Sequence, residues 1–221
     1  MKKLPSLYDN DTKKLISSNP NEYLAIIEKD IIFIANKLRW TLRKKHWRKM
    51  MMICWLQQTT ALINSGKLEG AKYWLDTIEE CTDFSTEKTP NTNFYMGFLI
   101  NSFTYYIKVE KYNEAKIIMQ KMESAFKFIQ GNVNLKIFNL SINKNKCILE
   151  FFDGNYLKCI DMIKDISLYG ESNDFMDDLY VYLGKCYRNT MPNEEACKEI
   201  KHIINKCVNE KYQKELQDLL V

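Results

Sequence analysis

Three short segments of this chain carry one pattern: Gly66-Lys67-Leu68-Glu69-Gly70-Ala71, Glu110-Lys111-Tyr112-Asn113-Glu114-Ala115 and Gly154-Asn155-Tyr156-Leu157-Lys158-Cys159. Each is a tight turn, an apolar anchor and a small residue three positions later. The small residues Ala71, Ala115 and Cys159 follow one another at intervals of 44 residues. Equal intervals imply repeated structural units. Four and seven positions beyond each small residue stand apolar side chains, Leu75 and Ile78, Met119 and Met122, Ile163 and Ile166. That spacing is one face of an α-helix. With 221 residues but only 7 glycines and 4 prolines, turn punctuation is scarce and the elements must be long. An all-α fold is expected.

A fourth unit extends the pattern: Tyr180-Val181-Tyr182-Leu183-Gly184-Lys185-Cys186-Tyr187, then Pro192-Asn193-Glu194-Glu195-Ala196, then Ile200 and Ile203. Tyr180, Leu183, Gly184, Tyr187 and Ala196 resemble the tetratricopeptide repeat, with its aromatic, Leu-Gly, Tyr and Ala at fixed offsets. The same offsets counted back from Ala71 reach Trp55 and Leu62, and from Ala115 they reach Tyr106. The resemblance covers about residues 49–205 and implies a right-handed α-α superhelix, a solenoid of hairpins at about 49–80, 94–130, 134–169 and 174–205. Small residues let antiparallel helices approach to about 8–10 Å, and Gly184 with Ala196 is the expected meeting pair. Two departures are visible. The family period is about 34 residues, so 44 requires longer helices or linkers. The third unit has Asn143, Lys146 and Glu150 at expected apolar places, so its first helix is expected to shift by one and use Ile142, Leu149 and Phe152.

Outside the array, residues 1–20 read as a tail, 21–48 as a basic amphipathic segment and 206–221 as a capping helix using Tyr212, Leu216 and Leu219 or Leu220. Cys81 to Asn93 is the expected long loop, Gly131-Asn132 and Gly170 are helix stops, and Pro192 opens a helix.

Charge is polarised. Between Ile31 and Leu68 there is no acid, while Lys37, Arg39, Arg43, Lys44, Lys45, Arg48, Lys49 and Lys67 supply more positive charge than the whole chain's net +4. Ile27, Ile31, Ile34, Leu38 and Leu42 fall at helical spacing, with Trp40 and Trp47 among the bases. Five apolar side chains so placed serve first to dock the helix on its neighbour, with a solvated basic face. An acidic protein partner, an anionic membrane or a nucleic acid remain alternatives. The break between helices in this region is expected near residues 41–47.

The residue types that carry catalysis are not assembled. His46 and His202 are far apart in sequence, and no nucleophile elbow, phosphate loop or zinc spacing occurs. No enzyme activity, cofactor or metal is therefore expected. Seven scattered cysteines read as reduced thiols of a cytoplasmic protein, with Cys147, Cys159 and Cys197 at small packing positions. Lys2 and Lys3 have the charge of a signal peptide, but Asp9, Asp11, Lys13 and Lys14 stand where its apolar region belongs, so no leader is expected. The uncharged stretch Ile31–Asn36 is far short of the roughly 20 residues of a membrane span.

Arrays of this family hold peptides or helices on a surface lined by the first helix of each hairpin. Projecting its groove positions gives Leu56, Thr60 and Ile63, then Ile100, Thr104 and Lys108, then Lys144, Ile148 and Phe151, then Val181, Lys185 and Arg188. Lysines and an arginine beside apolar groups suit an acidic, partly hydrophobic segment or a C-terminal carboxylate. The resemblance therefore implies a protein- or peptide-binding scaffold. An adaptor for anionic membrane or RNA, working through residues 37–49, is the competing expectation.

Overall fold

A computed structural model describes residues 10–40, 44–82, 92–129, 132–168 and 173–221, and among them every regular element is an α-helix. The helices are α1 (Asn10–Ser18), α2 (Pro20–Trp40), α3 (Lys44–Asn64), α4 (Leu68–Cys81), α5 (Thr92–Lys108) and α6 (Tyr112–Phe126). They continue with α7 (Asn132–Phe152), α8 (Tyr156–Leu168), α9 (Asn173–Thr190), α10 (Asn193–Ile204) and α11 (Glu210–Asp218). The chain divides into two compact units, Met1–Asn134 and Leu135–Val221. No described helix is long and apolar enough to cross a membrane.

The repeated sequence pattern is also a repeated backbone turn. Gly66, Glu110 and Gly154 all take positive φ, at 75°, 59° and 77°. The next residue folds its N–H back on the preceding helix: Lys67 donates to Leu62 O, Lys111 to Tyr106 O and Asn155 to Glu150 O, each at 2.9 Å. This is the left-handed C-terminal stop of a helix, which satisfies carbonyls left open by the last turn. Five residues after each positive-φ position comes the small residue, and Ala71, Ala115 and Cys159 are each 0% exposed. Ala196 is also fully buried, but the turn before it uses Pro192 at φ −54° instead.

In the first unit, α2 and α3 bury Tyr23, Ile27, Ile34, Met50, Met51 and Cys54 between them. The region expected as a tail carries α1, because Leu15 and Ile16 pack on that core and Asn64 Nδ2 donates to Ile16 O at 2.9 Å. Trp55 lies against Trp74, ring centroids 5.7 Å apart, joining α3 to α4. Helix α5 packs on α3, α4 and α6. Its contact with α3 is partly polar. Asn101 Nδ2 donates to Leu56 O at 2.9 Å, and Thr60 Oγ1 donates to Asn101 Oδ1 at 2.9 Å.

In the second unit, α9 packs on α8, α10 and α11. A Cβ at Gly184 would lie 3.0 Å from both Leu216 Cδ2 and Leu219 Cδ1, with Ile200 next. The close approach at Gly184 therefore admits the last helix, and Ala196 is not its nearest partner. Asp177, 1% exposed, accepts from the backbone N–H of Val208 at 3.0 Å and of Asn209 at 2.8 Å. These amides lie just before α11, whose N-cap is Asn209 accepting from the Lys211 N–H at 3.0 Å, so the buried carboxylate anchors the segment that leads into the helix. The third hairpin differs from the expected register: Ile142 is buried, but Asn145, Cys147 and Ile148 are buried with it, while Leu149 and Phe152 are half-buried.

Helix α2 ends at Trp40 and α3 begins at Lys44; residues 41–43 lie outside the described residues, as do 83–91, Gly131 and Gly170.

Candidate functional site

The structure divides the twelve projected groove positions into three groups. Ile63, Ile148 and Val181 are buried, at 1%, 7% and 4% exposure, and present no surface to a partner. Their apolar character serves the core, which is the correction the structure makes to a projection by offset alone. Leu56, Thr60 and Lys144 are half-buried and already engaged within the chain. Leu56 reaches a point 3.0 Å from where a Cβ of Gly97 would lie, Thr60 binds Asn101, and Lys144 pairs with Asp178 at 2.6 Å. Ile100, Thr104 and Lys108 are partly or wholly exposed on α5, and Phe151, Lys185 and Arg188 are half-buried in the second unit.

In that second unit the structure assembles a cluster which offsets in sequence do not reveal. Phe151 meets Tyr182 edge to face at 5.2 Å and Tyr156 at 5.6 Å, and Lys185 lies 5.7 Å over the Tyr182 ring. Arg188 donates to Asn193 Oδ1 and lies 3.7 Å from Cys197 Sγ. An aromatic base with a cation stacked on it offers both apolar contact and positive charge.

The basic segment is split. Lys37 stands on α2, 5.3 Å over the Phe33 ring, whereas Arg48 and Lys49 stand on α3. Lys37, His46, Arg48 and Lys49 are exposed, and among the described residues none of the four has an ion pair. Trp47 is half-buried against Phe33 at 5.9 Å, so its ring serves packing. Arg43 lies outside the described residues, as do the side chains of Arg39, Lys44 and Lys45.

Two clefts were not anticipated. The first, of about 480 Å³, lies between α4 and α6 over α5. Its walls are Lys72, Asp76 and Glu79 on α4 and Ile118 and Lys121 on α6; its floor includes Leu99, Ser102 and Tyr106. The second, of about 180 Å³, lies between α8 and α10 over α9 and is lined by Ile163, Lys164, Ser167, Tyr180, Leu183, Tyr187, Glu199, His202 and Lys206. Counted from the buried small residues, the two use the same places. Asp76 and Lys164 each stand five beyond, Lys121 and His202 six beyond, and Tyr106 and Tyr187 nine before. The sequence contained that register, but nothing in it showed that the space over the first helix stays open.

Five of the seven thiols are closed. Cys54, Cys147, Cys159, Cys186 and Cys207 are buried, Cys81 is exposed and Cys197 is intermediate, contrary to its expected packing role. Burial first, then nearby negative groups, pushes Cys54 and Cys147 up to about 12. Cys159 donates to Cys147 O at 3.2 Å, and Cys186 is held well above its ordinary value by its bond to Cys159 and by burial. The raised thiols of Cys54, Cys147 and Cys186 are poor nucleophiles. Among the described residues no His, Cys, Asp and Glu side chains gather in a group of three or more able to hold a metal ion.

Neither a protein-family model, a curated protein nor a solved structure matches this chain.

Proposed function

We propose that this chain is a non-enzymatic scaffold that holds an acidic, partly apolar protein segment, built as a tetratricopeptide-like right-handed solenoid. The observation that carries the reading is the recurrence of one turn, at Gly66, Glu110 and Gly154, each five residues ahead of a fully buried small side chain. Residues repeated for packing leave the surfaces of the helices as the part free to vary with a ligand. Of the projected surface, Phe151 and Lys185 support the reading best, because they combine aromatic area with positive charge around the Tyr182 ring.

The test is a titration against synthetic twelve-residue peptides of graded acid content. Acid-rich peptides with an aromatic or aliphatic residue should bind best, and Lys185→Glu should weaken them by about tenfold, as loss and reversal of a charge-assisted contact predicts. Equal affinity for acidic and neutral peptides, or no change in Lys185→Glu, counts against this surface. Lys144 is a poorer probe, since its reversal also breaks the pair with Asp178.

A second reading rests on Lys37, His46, Arg48 and Lys49, exposed and without ion pairs among the described residues. It makes the chain an adaptor for a phosphate-bearing surface, RNA or anionic membrane. Binding of RNA or of phosphatidylserine vesicles that falls steeply with salt supports it, and no retention at low salt removes it.

A further inference from the structure

We propose that the larger cleft, between α4 and α6, is a binding site for a short zwitterionic peptide, separate from the surface described above and independent of that reading. Its floor is closed and mixes apolar with hydroxyl side chains: Leu99 is 1% exposed, Ser102 3% and Ile118 at its edge 9%, with Tyr106 beside them. Its walls are charged. On α4, Lys72 donates to Asp76, so these two charges largely satisfy each other. Glu79 on the same wall and Lys121 on the opposite wall are both exposed, and neither has an ion pair among the described residues. The cleft thus offers one unanswered negative charge and one unanswered positive charge, on different helices, across a floor that holds both apolar and hydroxyl side chains.

A ligand of single charge would satisfy one of these groups and be repelled by the other. A ligand with an ammonium at one end, a carboxylate at the other and an apolar middle answers both, and a free peptide has that form. An extended tripeptide spans at most about 10 Å, and ligand pockets run from about 300 to 1,000 Å³, a range that includes this cleft's 480 Å³. The Tyr106 hydroxyl lies near Lys72, Asp76 and Glu79, and burial raises its proton affinity, so it stays a donor for an incoming carboxylate or carbonyl.

The second unit provides an internal contrast. At the same repeat places its cleft carries Lys164, Ser167 and His202, with no acid on the first wall, and it is less than half as large. Peptide binding should therefore reside in the first unit alone.

The experiment is calorimetric titration of the full chain with leucyl-glycyl-leucine bearing free termini, and with its N-acetylated, C-amidated form. The free peptide should bind, the blocked form should bind at least about tenfold more weakly, and Glu79→Gln and Lys121→Gln should each cause a loss of similar size. Both side chains are exposed, so the variants should keep the helical circular dichroism of the parent. Lys185→Glu, in the other unit, should leave this binding unchanged, which separates failure here from failure of the acidic-segment surface. No heat with the free peptide at millimolar concentration overturns the proposal. So does equal binding of the blocked peptide, or unchanged binding in both variants.

Discussion

The clefts of the two units use matching positions counted from the buried small residues and differ almost threefold in volume, about 480 Å³ against 180 Å³. One difference lies in the floor. Where the first unit has Leu99 and Ser102, sixteen and thirteen residues before Ala115, the second has the bulkier Tyr180 and Leu183 before Ala196. The charge differs by the same mechanism: Asp76 and Glu79 give way to Lys164 and Ser167. One helical framework can therefore be filled or left open by two side chains that face the same gap, because a packed interior responds to every added methylene.

Exchanging floor residues tests this most severely. Leu183→Ser removes a buried side chain, 5% exposed, and should cost about 3–4 kcal/mol in denaturant unfolding. Ser102→Leu should cost less than about 1.5 kcal/mol, since the open space receives the added carbons and only the bond from Ser102 Oγ to Phe98 O at 2.9 Å is lost. The same variant should abolish tripeptide binding. Equal costs for the two changes would mean that the first cleft is not open space.

The second unit also differs in how it is closed, by α11 held on Asp177. Asp177→Ala leaves the amides of Val208 and Asn209 without their acceptor, at an expected cost of about 1–3 kcal/mol. Hydrogen exchange should show the loss first in residues 207–212. Protection unchanged there would show that Leu216, fully buried, holds the helix unaided.

The turns are the next smaller test. Glu110 carries a side chain at φ 59°, where its counterparts are Gly66 and Gly154. Glu110→Gly should stabilise by up to about 1 kcal/mol, and Gly66→Ala or Gly154→Ala should destabilise by about 1 kcal/mol. No atom lies within 4 Å of a Cβ built at either glycine, so backbone strain alone is measured.

The smallest effect concerns pH. Lys158 and then Asn155, both bonded to Glu150 Oε atoms, hold the Glu150 carboxyl below its ordinary value. Its stabilisation is present above the unfolded value near 4.3 and is lost as pH falls through the lower folded value. Lys158 is 63% exposed, so the contribution should be a few tenths of a kcal/mol. Glu150→Gln should flatten the stability curve by that amount below pH about 4.5. An unchanged acid slope would show that solvent screens the pair fully.

Much of the local structure was legible before any coordinates. Periodicity located the helices because a face repeating every three or four residues is a local property, and the interval from Ala71 to Ala115 to Cys159 marked three turns that the backbone does repeat. The helix α1 was missed because its apolar residues, Leu15 and Ile16, are too few to give a clear period without the core they cover. Gly184 was legible as a close approach, but its partner proved to be Leu216 and Leu219 from the end of the chain.

The candidate surfaces were far less legible. The projected positions lie on α3, α5, α7 and α9, yet Ile63, Ile148 and Val181 are core side chains, because an apolar residue on a helix carries no mark of whether its face meets protein or water. The cation over Tyr182, the pair of Lys144 with Asp178 and the two clefts all join residues far apart in sequence.

The helices, their turns and the small residues on which they close could be read along the chain, since these depend on backbone preference and spacing within a single element. Which apolar residues became core, which amides Asp177 holds and where a cleft stayed open were settled by packing between helices. Those outcomes are set by how side chains from several helices compete for one volume, and no stretch of the chain specifies that alone.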